Sequence, residues 1–103
     1  MSDIKLGVNQ GKLLDASELL RALAHPLRMQ LIAFIDKNGS VNVNRIYNTL
    51  QLEQSITSQH LRVLRQQNLV STKREGKFIH YSVNYEQVSK TVKAVNAFLA
   101  NAD

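Results

Sequence analysis

Cysteine is absent from the 103 residues, which removes disulfides, thiolate metal sites and thiol redox switches from consideration. Nor is there a run of about eighteen apolar residues, the least that a membrane-spanning helix needs. The start, Met1–Lys12, is polar and mixed, unlike a secretion signal. These absences predict a soluble, cytoplasmic chain with no membrane partner. No glycine-rich phosphate loop occurs, no Ser-His-Asp or Cys-His set can be assembled, and the eight carboxylates are scattered. An enzyme is therefore not expected, and no residue is assigned a catalytic role. Repeats and low-complexity tracts are lacking too, and the length suits a single domain.

Three histidines are present, His25, His60 and His80, separated by thirty-five and twenty residues. Neither spacing matches a local metal motif, so no metal site and no cofactor are expected. His25 adjoins a proline at a helix start, where a hydrogen bond to the backbone is the ordinary explanation. His60 falls at the edge of a helix's buried side, and His80 in a strand.

What the chain does have is unevenly placed positive charge. The formal net charge is +5, and the segment between Gln54 and Tyr85 alone carries +4: Arg62, Arg65, Lys73, Arg74 and Lys77 against Glu75. The other residues nearly balance, with eight basic and seven acidic side chains. Charge focused on one third of a chain suits a polyanion-binding surface. An ordinary solvated basic face has the same composition.

Residues 1–11 carry two glycines and no sustained periodicity, and read as a flexible arm. Residues 12–101 read as one domain. From Lys12 to Ala24, Leu13, Ala16, Leu20 and Leu23 recur at helical spacing. His25-Pro26 ends that helix and opens a second, with Leu27, Leu31, Phe34 and Ile35 on one face and Asn38-Gly39 closing it in a left-handed turn. Ser40-Val41 is short and extended. Asn42 caps a third helix with Ile46, Tyr47 and Leu50 inward. After the turn Gln51–Gln54 comes a fourth helix, Ser55–Gln67, with a narrow inward stripe of Thr57, Leu61 and Leu64. Two helices joined so closely form a helix-turn-helix.

Beyond Asn68 the period changes from 3.6 to 2. Val70, Thr72 and Arg74 alternate, then Ile79, Tyr81 and Val83 after the turn Glu75-Gly76-Lys77, predicting a β-hairpin with a basic tip. Glu86–Asn101 returns to helical period through Val88, Val92, Val95 and Leu99. The fold class is α+β, mainly α: a winged helix-turn-helix with a two-stranded hairpin wing between helices at either end.

With Thr57, Leu61 and Leu64 inward, the fourth helix turns Gln54, Ser55, Ser58, Gln59 and Arg62 outward, none of them acidic. Gln and Arg make paired hydrogen bonds to adenine and guanine edges in a major groove. Serines near a helix start, and the helix N-terminus itself, suit phosphates. Ile56 lies beside this face, placed either to touch a thymine methyl or to pack on the third helix. Lys73, Arg74 and Lys77 would meet the backbone or enter the adjacent minor groove. The expected partner is double-stranded DNA. The alternatives are a winged helix that binds an acidic protein partner and nonspecific DNA binding. A protein-binding face would be apolar or aromatic at its centre, whereas this one is Ser, Gln and Arg.

The runs Leu23-Ala24-His25-Pro26-Leu27-Arg28, Gln54-Ser55-Ile56-Thr57-Ser58-Gln59-His60-Leu61-Arg62-Val63-Leu64 and Gly76…Ile79-His80-Tyr81-Ser82 together resemble the ArsR family of bacterial repressors. The resemblance spans about Leu13 to Leu99. It implies a homodimer joined through its first and last helices and repressing at a pseudo-palindromic operator. The terminal stripes fit that role, with Leu13, Leu20, Val88, Val92, Val95 and Leu99 as interface residues. The family's metal sensors carry a Cys-x-Cys pair whose positions fall here on Asn42 and Asn44. A second metal set in that family falls here on Tyr85, Gln87, Phe98 and Asn101, so sensing through the usual metal sites is not expected. The sequence names no small-molecule or protein effector.

Overall fold

A computed structural model describes residues 10–100, and the side chains of residues 17–94, 96 and 97. The element order is α1 (Gln10–Leu23), α2 (Pro26–Asn38), β1 (Val41–Asn42), α3 (Val43–Leu50), α4 (Gln54–Gln66), β2 (Val70–Glu75), β3 (Phe78–Val83) and α5 (Tyr85–Ala100). Helix α1 starts earlier than its apolar stripe suggested and takes in Gln10 and Gly11, two residues of the expected arm. The rest of that arm, 1–9, lies outside the described residues, as does residue 101 at the far end of the expected domain.

Local chemistry sets the helix ends. His25 caps α2: its backbone is extended and its Nδ1 accepts the Leu27 amide at 3.1 Å, with Pro26 in the first turn. Asn42 caps α3 as its side-chain type predicts, accepting the Arg45 amide at 2.9 Å. The end of α2 departs from the expected left-handed helical turn. Gly39 has φ 74° and ψ −61°, and the Ser40 amide donates to the Asn38 carbonyl at 2.8 Å. That is a γ-turn of positive φ, a strained form which glycine adopts most readily. A side chain at Gly39 would meet nothing within 4 Å, so backbone torsion rather than crowding favours glycine there.

The wing is a hairpin as expected, with Val70 opposite Val83, Thr72 opposite Tyr81 and Arg74 opposite Ile79. Glu75, expected in the turn, instead pairs with Phe78 and leaves Gly76-Lys77 as a two-residue turn. The sheet, however, has three strands in the order β1-β3-β2, because Val41 and Asn42 pair antiparallel with Tyr81 and His80. The extended backbone expected at Ser40-Val41 thus becomes, at Val41 and Asn42, a strand paired with the wing, which nothing in the local sequence indicates. This third strand ties the base of the hairpin to the start of α3.

The core gathers Ala22 of α1, Leu31 and Ile35 of α2, Val41, Ile46 of α3, Leu61 and Leu64 of α4, Leu69, Val70, Tyr81 and Val83, with Val88 of α5 packed partly against it. Burial of Tyr81 pushes its phenol above the ordinary value, so it stays neutral. No described helix is long and apolar enough to cross a membrane.

Candidate nucleic-acid interface

Helix α4 is amphipathic in the sense its spacing predicts. Thr57, Leu61 and Leu64 are buried, while Gln54, Ser55, Ile56, Gln59, Arg62, Arg65 and Gln66 are exposed. At 3.6 residues per turn, Ser55, Gln59, Arg62 and Gln66 follow one line along the helix. Packing on α3 does not bury Ile56, which keeps 51% of its surface exposed.

Two features of this helix come from side chains outside the outward set read from spacing. Glu53 caps α4, its carboxylate accepting the amides of Ser55 at 3.1 Å and Ile56 at 3.4 Å and also the Ser55 hydroxyl. Those bonds, led by the Ser55 hydroxyl, hold the Glu53 carboxyl below its ordinary value. The helix N-terminus, expected to attract phosphate, thus already carries a carboxylate. Ser58 is half-buried, and its Oγ shares a hydrogen bond of 2.6 Å with the Tyr47 hydroxyl of α3. Both serine hydroxyls are therefore engaged within the protein, and the amide and guanidinium groups of Gln54, Gln59 and Arg62 are left as the exposed hydrogen-bonding set. The signals were present, a glutamate one residue before the helix and a tyrosine on the helix before it.

In the wing, Lys73, Arg74 and Lys77 are all exposed. Lys73 and Glu75 approach to 3.7 Å as an exposed ion pair, worth little to stability. Arg74 Nε donates to the Gly76 carbonyl at 3.3 Å. Gly76 has φ 61°, while Lys77 is not among the residues of positive φ. Positive φ at the first of the two turn residues alone matches a type II′ turn, whose twist suits a hairpin.

Of the residues read as a dimer surface, Leu20 and Val92 are exposed at 44% and 49%. They line a shallow apolar cleft between α1 and α5 together with Leu23, Thr91 and Asn96. Val88 instead packs partly against its own core. The side chains of Leu13, Val95 and Leu99 lie outside the described residues. Helix α5 is tied to the end of α4, where Gln87 Nε2 donates to the Gln67 carbonyl at 2.9 Å.

Sequence separation concealed one further contact. The rings of His25 and His60 lie 4.4 Å apart between centroids, tilted by 44°, joining the cap of α2 to α4. Burial, then the charges of His25 and Arg28, lowers the His60 pKa below its ordinary 6.5. A histidine that is harder to protonate when folded leaves stability intact above pH 6.5. Stability then falls as pH drops from 6.5 to the lower folded value, because the unfolded chain binds the proton first. Urea unfolding at a series of pH values between 7.5 and 5 should show this fall, and His60→Gln should flatten it. Parallel curves for the two proteins would remove His60 from that account. Glu53 does not confuse the window, since its carboxyl titrates below 4.5.

Residues 25–72 match the model of the arsR family of bacterial regulatory proteins. The transcriptional repressor PagR of Bacillus anthracis is 37% identical over 82 residues, covering 80% of this chain and 82% of PagR. The chain belongs to the ArsR family. The crystal structure of PagR superposes with a TM-score of 0.71 at 34% identity, over 84% of this chain and 99% of PagR. NolR from Sinorhizobium fredii gives a TM-score of 0.71 at 34% identity, over 88% and 93% of the two chains. The transcriptional activator HlyU of Vibrio cholerae is 29% identical over 85 residues, 82% of this chain and 78% of HlyU. This ArsR-family protein is a winged-helix transcriptional regulator and not an enzyme.

Proposed function

We propose that this regulator binds double-stranded DNA sequence-specifically as a homodimer and represses transcription from a pseudo-palindromic operator. Helix α4 lies in the major groove, with Gln54, Gln59 and Arg62 toward base edges. Ser55 and Ser58, their hydroxyls engaged by Glu53 and Tyr47, position the helix and do not bond phosphates. Lys73, Arg74 and Lys77 of the wing lie against the flanking phosphates and supply much of the salt-dependent affinity. The observation that carries this reading is the outward face of α4: exposed, uncharged or basic, and backed by a fully buried Thr57, Leu61 and Leu64. The exposed Leu20 and Val92 support joining two copies through α1 and α5, with Leu13, Val95 and Leu99 continuing the same stripes. Residues 12–101 act as the DNA-binding and dimerisation unit. Repression is favoured by the resemblance to PagR, a repressor.

Metal sensing through the family's usual sites is not part of the proposed function. Asn42 is committed to capping α3, and Gln87 to the Gln67 carbonyl. Neither Asn42 nor Asn44 offers a thiolate, and Gln87 offers no imidazole.

A salt titration tests the wing's part. Lys77→Ala should lower the slope of log K against log salt by about one unit on any duplex, as loss of one phosphate contact requires. An unchanged slope would take Lys77 off the backbone.

A further inference from the structure

The wing carries more than positive charge. From Ser71 to Ile79 every residue of the hairpin is exposed, including Phe78 at 48% and Ile79 at 37%. Single exposed apolar residues are ordinary. Two in succession at the tip of a basic ribbon, on opposite faces of it, are a different arrangement. Alternation places Phe78 on the face that holds Lys73, Glu75 and His80, and Ile79 opposite Arg74 on the other.

We propose that Phe78 is an apolar wedge that enters the DNA minor groove at the wing tip and selects a deformable base step there. This rests on the reading above that the wing meets DNA. Reach supports it. Tyr81 is the last buried residue of β3 before the tip, and Phe78 lies three residues beyond it, about 10 Å at strand rise. The minor groove is about 7.5 Å deep and about 6 Å wide. A ribbon of two strands is too broad to enter it, but the turn and the side chains at its end are not. With Lys73 and Arg74 level with the rim, the turn at Gly76-Lys77 carries the attachment point of Phe78 into the groove, where the ring leans from one face of the ribbon against the base edges.

The tip is also preorganised. The type II′ turn at Gly76, the Arg74 bond to the Gly76 carbonyl and the Glu75–Phe78 pairing hold the ring's attachment point in place. Lys73 draws the Glu75 carboxylate along the wing, which eases its repulsion from phosphates.

Apolar side chains that insert at a base step unstack it and kink the duplex toward the major groove. The cost is least at pyrimidine–purine steps, TA and CA/TG. Phe78 therefore adds sequence preference at a position where no hydrogen bond reads the base. The preference would fall outside the base pairs under α4.

The test uses the full chain and the duplex that it enriches from random DNA, labelled at both ends for energy transfer. The wild type should bend that duplex. Phe78→Ala should lose the bend and bind about tenfold more weakly, the scale of one lost specific contact, while its salt slope stays the same. Phe78→Leu, which retains a wedge, should keep much of the bend. Replacing the pyrimidine–purine step under the wing by A-tract sequence should weaken the wild type but not Phe78→Ala. Phe78→Ala with unchanged bend and affinity would overturn the proposal. So would a loss of self-association in the DNA-free variant with bending retained, which would mark Phe78 as a contact between protein copies. If the wild type enriches no duplex, the failure lies in the DNA-binding reading itself, and the wedge falls with it.

Discussion

Leu64→Ala is expected to cost about 2–5 kcal/mol of stability, the range for truncating a fully buried leucine. Leu64 has no exposed surface and sits in the cluster that also holds Leu31, Ile35, Ile46, Leu61 and Leu69. A domain of this size has only about 5–15 kcal/mol in total, so the loss is a large share. Each kcal/mol corresponds to about 4–8 °C in the melting temperature of a domain of 60–100 residues. Thermal unfolding followed by circular dichroism should therefore show a drop of roughly 10 °C or more. Both proteins must be compared at one concentration, since dimerisation would add concentration-dependent stability. A shift of a degree or two would mean that α4 is not anchored through Leu64. DNA binding should weaken alongside, because the outward face of α4 is held in place chiefly by its inward one.

Arg62→Ala is expected to do the opposite: leave stability within a few tenths of a kcal/mol, as exposed substitutions do, and weaken operator binding by about 1–3 kcal/mol. The residue is exposed on α4, one turn beyond Gln59 and on the same line. Affinity measured on the operator and on duplexes changed at single positions decides its role. A base reader loses preference at one position and little elsewhere. A uniform loss on all duplexes would make Arg62 a phosphate contact and leave Gln54 and Gln59 as the readers.

The elements that local periodicity controls were legible in the sequence. Thr57, Leu61 and Leu64 repeat every third or fourth residue, and burial follows that spacing in the structure. Alternation from Val70 and from Ile79, with Gly76 between, marked the hairpin and its two faces, although Glu75 pairs with Phe78 and does not belong to the turn. The caps at His25 and Asn42 followed from side chains that hydrogen-bond nearby amides.

What stayed hidden depends on residues far apart in the chain. Strand β1 is two residues long, too short to alternate, and its partners Tyr81 and His80 lie about forty residues on. The His25–His60 stack and the Tyr47–Ser58 bond arise from how α2, α3 and α4 pack, which spacing within one helix does not report. By spacing alone Glu53 belongs to the turn before α4. Its carboxylate instead caps the helix and changes what that N-terminus offers a phosphate. Three of the six expected dimer residues have side chains beyond the described set, and a fourth, Val88, faces partly inward.

The most direct test of a sequence-specific dimer is selection of bound sequences from random duplex DNA by the purified, metal-free protein, followed by a salt titration on the enriched sequence. Enrichment of an inverted repeat with half-sites about one helical turn apart, bound about a thousandfold or more above random DNA, is the expected result. Enrichment of nothing would contradict it, leaving charge-driven nonspecific binding if random DNA still binds at low salt and a protein-binding winged helix if it does not.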